Sequence, residues 1–204
     1  MFYMLKVSYI VNSVFSSRTY VLSNDDGNEF WLVDCGDMAP LMACLSSMGD
    51  GSFEVKGVLL THAHYDHIYG LPSLLQRFPA CQIFTNAAGV EALASSKVNM
   101  SRYHEDPVVI AGDYVVVVRE GDRIPLSSGV EAQVFETPGH NPSCLTFLVG
   151  KRIFTGDAFI PGEKVVTTLP GGNKELAADS LERILGLSVG REVFPGHDSR
   201  NKNI

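Results

Sequence analysis

The segment Thr61-His62-Ala63-His64-Tyr65-Asp66-His67 places three of the chain's six histidines and a carboxylate within seven residues, directly behind the apolar run Val58-Leu59-Leu60. A fold carrying such a segment must present imidazole and carboxylate groups from a rigid support, because divalent metals of borderline softness are held by converging neutral imidazole nitrogens and carboxylate oxygens. A strand end followed by a tight loop meets that demand. On an extended stretch, residues two apart point the same way, so His62 and His64 can grip one ion. A turn at Tyr65 then aims Asp66 and His67 at a second position. The plainer alternative is a polar loop opening a helix, with Asp66 as N-cap and the histidines exposed; the density of the cluster argues against it.

The rest of the chain sets the scaffold. At 204 residues it exceeds a typical domain of about 100 to 150 residues but stays within the range of a single sandwich, so one domain over residues 1–204 is expected. Hydrophobic residues make up 45%, enough for a sizeable core. A net charge of −7 argues against a phosphate-neutralising surface, so no nucleic-acid partner is expected. Cys35, Cys44, Cys81 and Cys144 follow no CxxC spacing and read as reduced core residues. The start, Met1-Phe2-Tyr3-Met4-Leu5-Lys6, lacks the pattern of a secretory leader, and no apolar run reaches the roughly 18 residues of a membrane span. A cytoplasmic protein with no membrane partner is the expectation.

Strands are read at Leu5 to Val14, Arg18 to Ser23, Glu29 to Val33, Val55 to Leu60, Gln82 to Thr85, Tyr114 to Arg119, Val130 to Glu136, Leu145 to Val149, Arg152 to Thr155 and Glu192 to Phe194. Asn24-Asp25-Asp26-Gly27-Asn28 is a hairpin signal of the Asp-Gly type. Helical spacing of apolar residues runs over Pro40 to Met48, with Gly49 as a stop, and over Gly70 to Phe78, Ala87 to Ser95 and Asp179 to Leu187. Lys97 to Pro107 has no clean period and is read as a loop or lid. This order suggests two packed sheets with helices outside.

Three further candidate ligands each stand at a strand end beside a glycine: Pro138-Gly139-His140, Thr155-Gly156-Asp157-Ala158 and Pro195-Gly196-His197. Glycine lets the backbone turn sharply, so the next side chain can be aimed into a cleft shared by several strand ends. Singly each is an ordinary turn; together with the first cluster they form a pattern. With these motifs in place, the chain resembles the metallo-β-lactamase superfamily, whose hydrolases share an HxHxDH motif followed by a His, an Asp and a final His. The resemblance implies an α/β fold, a four-layered αββα sandwich. It also implies two divalent metal ions, with His62, His64 and His140 on one, Asp66, His67 and His197 on the other, and Asp157 bridging them. Thr-Pro-Gly-His, Thr-Gly-Asp-Ala-Phe and Pro-Gly-His look most like the glyoxalase II group, which hydrolyses thioesters of glutathione. Asp157, where zinc-dependent β-lactamases usually carry Cys, speaks for two metals bridged by an oxygen ligand and against antibiotic hydrolysis as the primary role. Zinc is the first choice of metal; iron or manganese also suits a mixed N/O site.

Two departures bear on the substrate. The chain ends seven residues after His197, short of the C-terminal helical segment through which glyoxalase II binds glutathione. Pro161 to Thr168 keeps a cation, Lys164, but not the acid that short relatives carry there.

Two cations held there would lower the pKa of a shared water toward about 7 and so make a hydroxide available at neutral pH, with Asp66 or Asp157 placed to orient it. The same cations stabilise the oxyanion that forms. No Gly-x-Ser-x-Gly elbow is present, so covalent catalysis is disfavoured. Around the cage, Asp34 is either a hydrogen-bond acceptor for a ligand histidine or its loop, or a helix N-cap. Tyr65 either lines the pocket or faces outward. His104 reads as a surface or lid histidine. Lys164, Asn173 and Lys174 either contact an anionic substrate tail or are solvated loop residues. The leading function is hydrolysis of a small-molecule thioester, or of a related ester or lactone. The alternatives are an iron-dependent persulfide dioxygenase and an RNA-processing nuclease.

Overall fold

Alternation along the strands explains the layers. In β2 (Arg18–Ser23), Tyr20 and Leu22 point to one side and Val21 to the other, and β3 (Glu29–Val33) divides the same way into Trp31 with Val33 and Phe30 with Leu32. Both faces are apolar, so this sheet must be covered twice. In the computed structural model, which describes residues 5–23, 28–49 and 52–199, it is. The Asp-Gly turn signal and the first four residues lie outside the described residues.

The first sheet runs in sequence order through β1 (Lys6–Val11), β2, β3, β4 (Glu54–Leu59), β5 (Gln82–Thr85) and β6 (Val115–Val117), antiparallel through β3 and parallel from β3 onward. The second holds β7 (Arg123–Ser127), β8 (Val130–Glu136), β9 (Leu145–Val149), β10 (Arg152–Gly156) and β11 (Glu192–Pro195), with β10 and β11 parallel. Tyr20, Leu22, Trp31 and Leu59 meet Ile124, Val134, Phe147 and Phe154 between the sheets. On the outer face of the first sheet, α1 (Met38–Met48), α3 (Leu71–Arg77) and α4 (Ala87–Leu93) bury Leu41, Leu45, Leu71, Leu74 and Leu93 against Val21, Leu32 and Val58. Burial of each such leucine contributes about 1.5–3 kcal/mol. On the second sheet, α5 (Lys174–Ser188) buries Ile184 against Ile153 and Cys144. The result is the αββα sandwich expected.

Several boundaries differ for local reasons. Strand β7 escapes a sequence reading because Pro125 sits between its two inward residues, Ile124 and Leu126; β7 is an edge strand with a bulge beside that proline, where a missing N–H is tolerated. Helix α5 begins at Lys174 rather than Asp179 because the Asn173 side chain accepts from Glu175 N and Leu176 N, both at 3.0 Å. Helix α1 starts at Met38, so Pro40 falls in its first turn, where proline is harmless. The first strand stops at Val11, and residues 12–17 form a turn in which Phe15 and Ser16 have φ of 52° and 56°. Nor is 97–107 irregular in its packing: buried Asn99 donates to Ala92 O and Val108 O, both at 3.0 Å, and the segment includes a short 3-10 helix, Ser101–Tyr103.

The described cysteines are all unpaired, with Cys35, Cys81 and Cys144 in the core and Cys44 half-buried. Among the described residues no helix is long and apolar enough to cross a membrane.

Candidate metal centre

Four strand ends converge at one rim of the sandwich. After β4 the chain stays extended through His62 and His64, then turns into the one-turn helix α2 (Tyr65–Ile68), which carries Asp66 and His67. His140 follows β8, Asp157 follows β10 and His197 follows β11. All seven side chains come together. Ligand atoms of His62, His64 and His140 lie within 4.8 Å of one another, as do those of His62, His67 and Asp157 and those of Asp66, His67 and His197. His64 Nδ1 stands 2.9 Å from His140 Nε2. His197 Nε2 is 3.2 Å from Asp66 Oδ2 and 3.4 Å from Asp157 Oδ1, and His140 Nε2 is 3.7 Å from Asp157 Oδ2, so Asp157 reaches both halves of the cluster.

The cluster fits a metal by its donor set and its unpaired atoms. His62 Nε2 is buried without a hydrogen-bond partner, and Asp157 Oδ1 is buried with only ion-pair contacts to His67 and His197, at 3.5 and 3.4 Å, and no hydrogen bond. Such atoms are costly to bury unless an ion binds them. Meanwhile the outward nitrogens are fully occupied. His67 Nδ1 donates to Asp34 Oδ2 (2.8 Å), His140 Nδ1 to Val166 O (2.7 Å) and His197 Nδ1 to Phe15 O (3.1 Å), which turns each Nε2 inward.

The glycines before the ligands are required by space. Gly156 has φ of 51°, and a Cβ there would stand 2.5 Å from Thr61 Oγ1; one at Gly196 would stand 2.2 Å from Asp157 Oδ1. Asp34 resolves in favour of the ligand-supporting role. It is buried and accepts from Thr61 N (2.8 Å) and Thr61 Oγ1 (2.7 Å) as well as from His67, while the residue preceding α1 is Asp37.

Comparison with known proteins gives this arrangement a family. Residues 13–197 match the Metallo-beta-lactamase superfamily. The chain belongs to that superfamily. It is 26% identical over 191 residues to a hydroxyacylglutathione hydrolase of Actinobacillus pleuropneumoniae serotype 5b, covering 92% of this chain and 69% of that protein. Among solved structures it is similar to the BLEG-1 B3 metallo-beta-lactamase, with a TM-score of 0.82 and 26% identity over 95% of this chain and 92% of that one. It is also similar to ETHE1 from Myxococcus xanthus, with a TM-score of 0.72 and 25% identity over 100% and 78%. The centre is therefore that of a metallo-beta-lactamase fold, whose members bind divalent metals and are mostly hydrolases.

Electrostatics divide this superfamily centre in two. Burial, then the neighbouring histidines, hold His62 well below its ordinary pKa, and burial with His140 brings His64 down to about 4, so both are neutral. On the other side, burial opposes ionisation of Asp66 and Asp157 but is outweighed by His67 and His197, so both stay ionised. Burial likewise opposes charge on His67 and His197, yet Asp66 and Asp34 hold the first well above its ordinary value, and Asp157 and Asp66 bring the second up to about 9. Without metal at pH 7, protons thus stand where a cation would bind. Metal uptake at pH 7 is expected to release protons, detectable as a binding enthalpy that changes with the ionisation enthalpy of the buffer. The release should shrink as pH rises past about 9, where His197 is already neutral. A buffer-independent enthalpy at pH 7 would contradict this charge state.

The peripheral residues separate. Tyr65 and His104 line a cavity of about 220 Å³ over the cluster, and Lys164 lines an adjoining recess of about 20 Å³ with His140 and Asp157. His104 is not among the clustered ligands. Asn173 is spent as the α5 cap, and Lys174 opens that helix as an exposed residue. A larger groove of about 920 Å³ opens at the opposite ends of the second sheet's strands, near Glu131, Lys151 and Glu192, away from every ligand.

Sequence reasoning missed Asn141, whose Nδ2 donates to His64 Nε2 (3.0 Å) while its Oδ1 accepts from Ser143 N and Oγ. The signal was its place directly after His140. It also missed Ser17, which donates to Asp66 O (2.7 Å), and the carbonyls of Phe15 and Val166. Main-chain carbonyls carry no residue-type signal.

Proposed function

We propose that this chain is a dinuclear metal-dependent hydrolase acting on a thioester, or on a related ester or lactone. The observation that carries the reading is the convergence of seven His and Asp side chains, with buried His62 Nε2 and Asp157 Oδ1 left for an ion. His62, His64 and His140 would hold one cation and Asp66, His67 and His197 the other, with Asp157 shared, and zinc is the metal we assign first. The similarity to a hydroxyacylglutathione hydrolase over most of the chain supports the thioester class.

When bound, the cations supply Lewis acidity, which activates water at neutral pH and polarises a carbonyl oxygen. The chain's own residues do the rest. Asp66 and Asp157 are ionised and reach the cavity, so each can accept a hydrogen bond from the attacking water and orient it. The carbonyls of Val166 and Phe15 fix the rings of His140 and His197, so these donors need no reorganisation during reaction. Phe15, Met100, Val166 and Leu169 wall the cavity with apolar groups that limit water.

The test is a panel of thioester, lactone, β-lactam and phosphodiester substrates run on metal-loaded and metal-stripped protein. Metal-dependent thioester, ester or lactone hydrolysis is expected. Inactivity on the panel with metal bound would overturn the reading. The mixed N/O donor set also suits iron, so oxygen uptake on glutathione persulfide is the companion measurement. Activity there alone would transfer the site to the dioxygenase reading.

A further inference from the structure

One feature of the cavity wall is built with more care than a solvated loop needs. His104 stacks on Tyr65 at 3.8 Å between ring centroids with the planes 16° apart, and Phe15 meets His104 edge-on at 6.1 Å. The segment that presents His104 is pinned from below. Asn99 and Ser101 are fully buried, Asn99 Oδ1 accepts from Ser101 N (2.9 Å), Ser101 Oγ accepts from Val108 N (2.8 Å), and His104 N donates to Ser101 O (3.0 Å). Met100, with φ of 67°, turns the chain so that this platform faces the ligands. Phe15, in the separate turn at residues 12–17, lies in the left-handed region at φ of 52° and is 70% exposed at the mouth of the cavity.

Charge sharpens what such a shelf accepts. Glu105 and Asp106 follow His104 directly and are exposed. Arg102, one of two cations in residues 97–107, is turned over Tyr103 at 5.8 Å. Lys164, itself exposed, borders a separate recess beside His140 and Asp157 with room for about one water molecule, and is not among the residues lining the cavity of the stack. An anionic group on the shelf would therefore meet two carboxylates, whereas a flat apolar group gains stacking on an already ordered face.

We propose that the Tyr65–His104 stack is the leaving-group subsite of the hydrolase, and that it takes the uncharged, apolar thiol or alcohol portion of the substrate in preference to an anionic one such as glutathione. The inference rests on the hydrolase reading above and narrows its substrate class.

Acetyl thioesters of benzyl thiol, N-acetylcysteamine and glutathione share one acyl group and differ in the part the shelf would hold. With metal-loaded protein, kcat/KM is expected to fall in that order. His104→Ala should raise KM for the benzyl thioester about three- to tenfold with kcat little changed, and His104→Phe, which keeps a stacking ring, should restore most of it. The double change Glu105→Lys, Asp106→Lys should raise kcat/KM for the glutathione thioester about tenfold at low ionic strength, with the gain shrinking as salt is added. Glutathione as the best leaving group in the unmodified protein would overturn the proposal, as would a His104→Ala loss in kcat equal across all three substrates. Hydrolysis of none of them would instead remove the thioesterase reading, and this subsite with it.

Discussion

Replacing His140 with alanine, or Asp66 with alanine, is expected to lower kcat/KM by about three orders of magnitude or more, because metal activation contributes several kcal/mol to the barrier. The two positions test different halves of the centre. His140 faces His64 at 2.9 Å and is held by Val166 O, so its removal empties one vertex of the His62, His64 and His140 group. Asp66 carries negative charge beside His67 and His197, at 3.4 and 3.2 Å, and its loss leaves two histidines whose charges then repel. Metal content measured on each variant should fall, while far-ultraviolet circular dichroism stays close to that of the parent. Full activity in either variant would end the mechanism.

Asp34→Ala should be the most damaging change outside the ligand set. Asp34 is buried and accepts three hydrogen bonds, from His67 Nδ1, Thr61 N and Thr61 Oγ1. Removing one partner of a buried charged pair costs about 3–5 kcal/mol. The backbone adds to this, since Asp34 sits at φ of 59°, which Asp and Asn tolerate better than Ala. Metal affinity should drop roughly 10- to 100-fold because His67 loses the acceptor that orients it. Asp34→Asn keeps the backbone preference and one acceptor for Thr61 N, so it should recover much of the stability but little of the affinity. Denaturant midpoints and metal titrations on the two variants measure these separately. Equal metal affinity in Asp34→Ala and the parent would contradict the role.

How much of this was legible beforehand follows from the range of the forces involved. The HxHxDH segment and the three glycine-flanked ligands are local patterns, as is the succession of strands and helices, so a cluster of ligands and two sheets with helices outside could be read in outline, while the four-layered order and the sharing of ligands between two ions followed from the family resemblance. Asp34 stood undecided between two roles because its partners, Thr61 and His67, lie 27 and 33 residues away. Strand β7 stayed hidden because Pro125 signals a turn, and only its place at the sheet edge makes it a strand. The start of α5 was missed because Asn173 reads as a loop residue until the two N–H groups it accepts from are in place. For the same reason the segment around His104 looked structureless, although Asn99 and Ser101 anchor it through contacts with Ala92 and Val108.

The central claim is that the seven converging side chains form one centre for two metals. Equilibrium dialysis of metal-stripped protein against zinc, followed by elemental analysis, tests it most directly. Two equivalents per chain are expected at saturation. Saturation at one equivalent, or no tight binding at all, would contradict it.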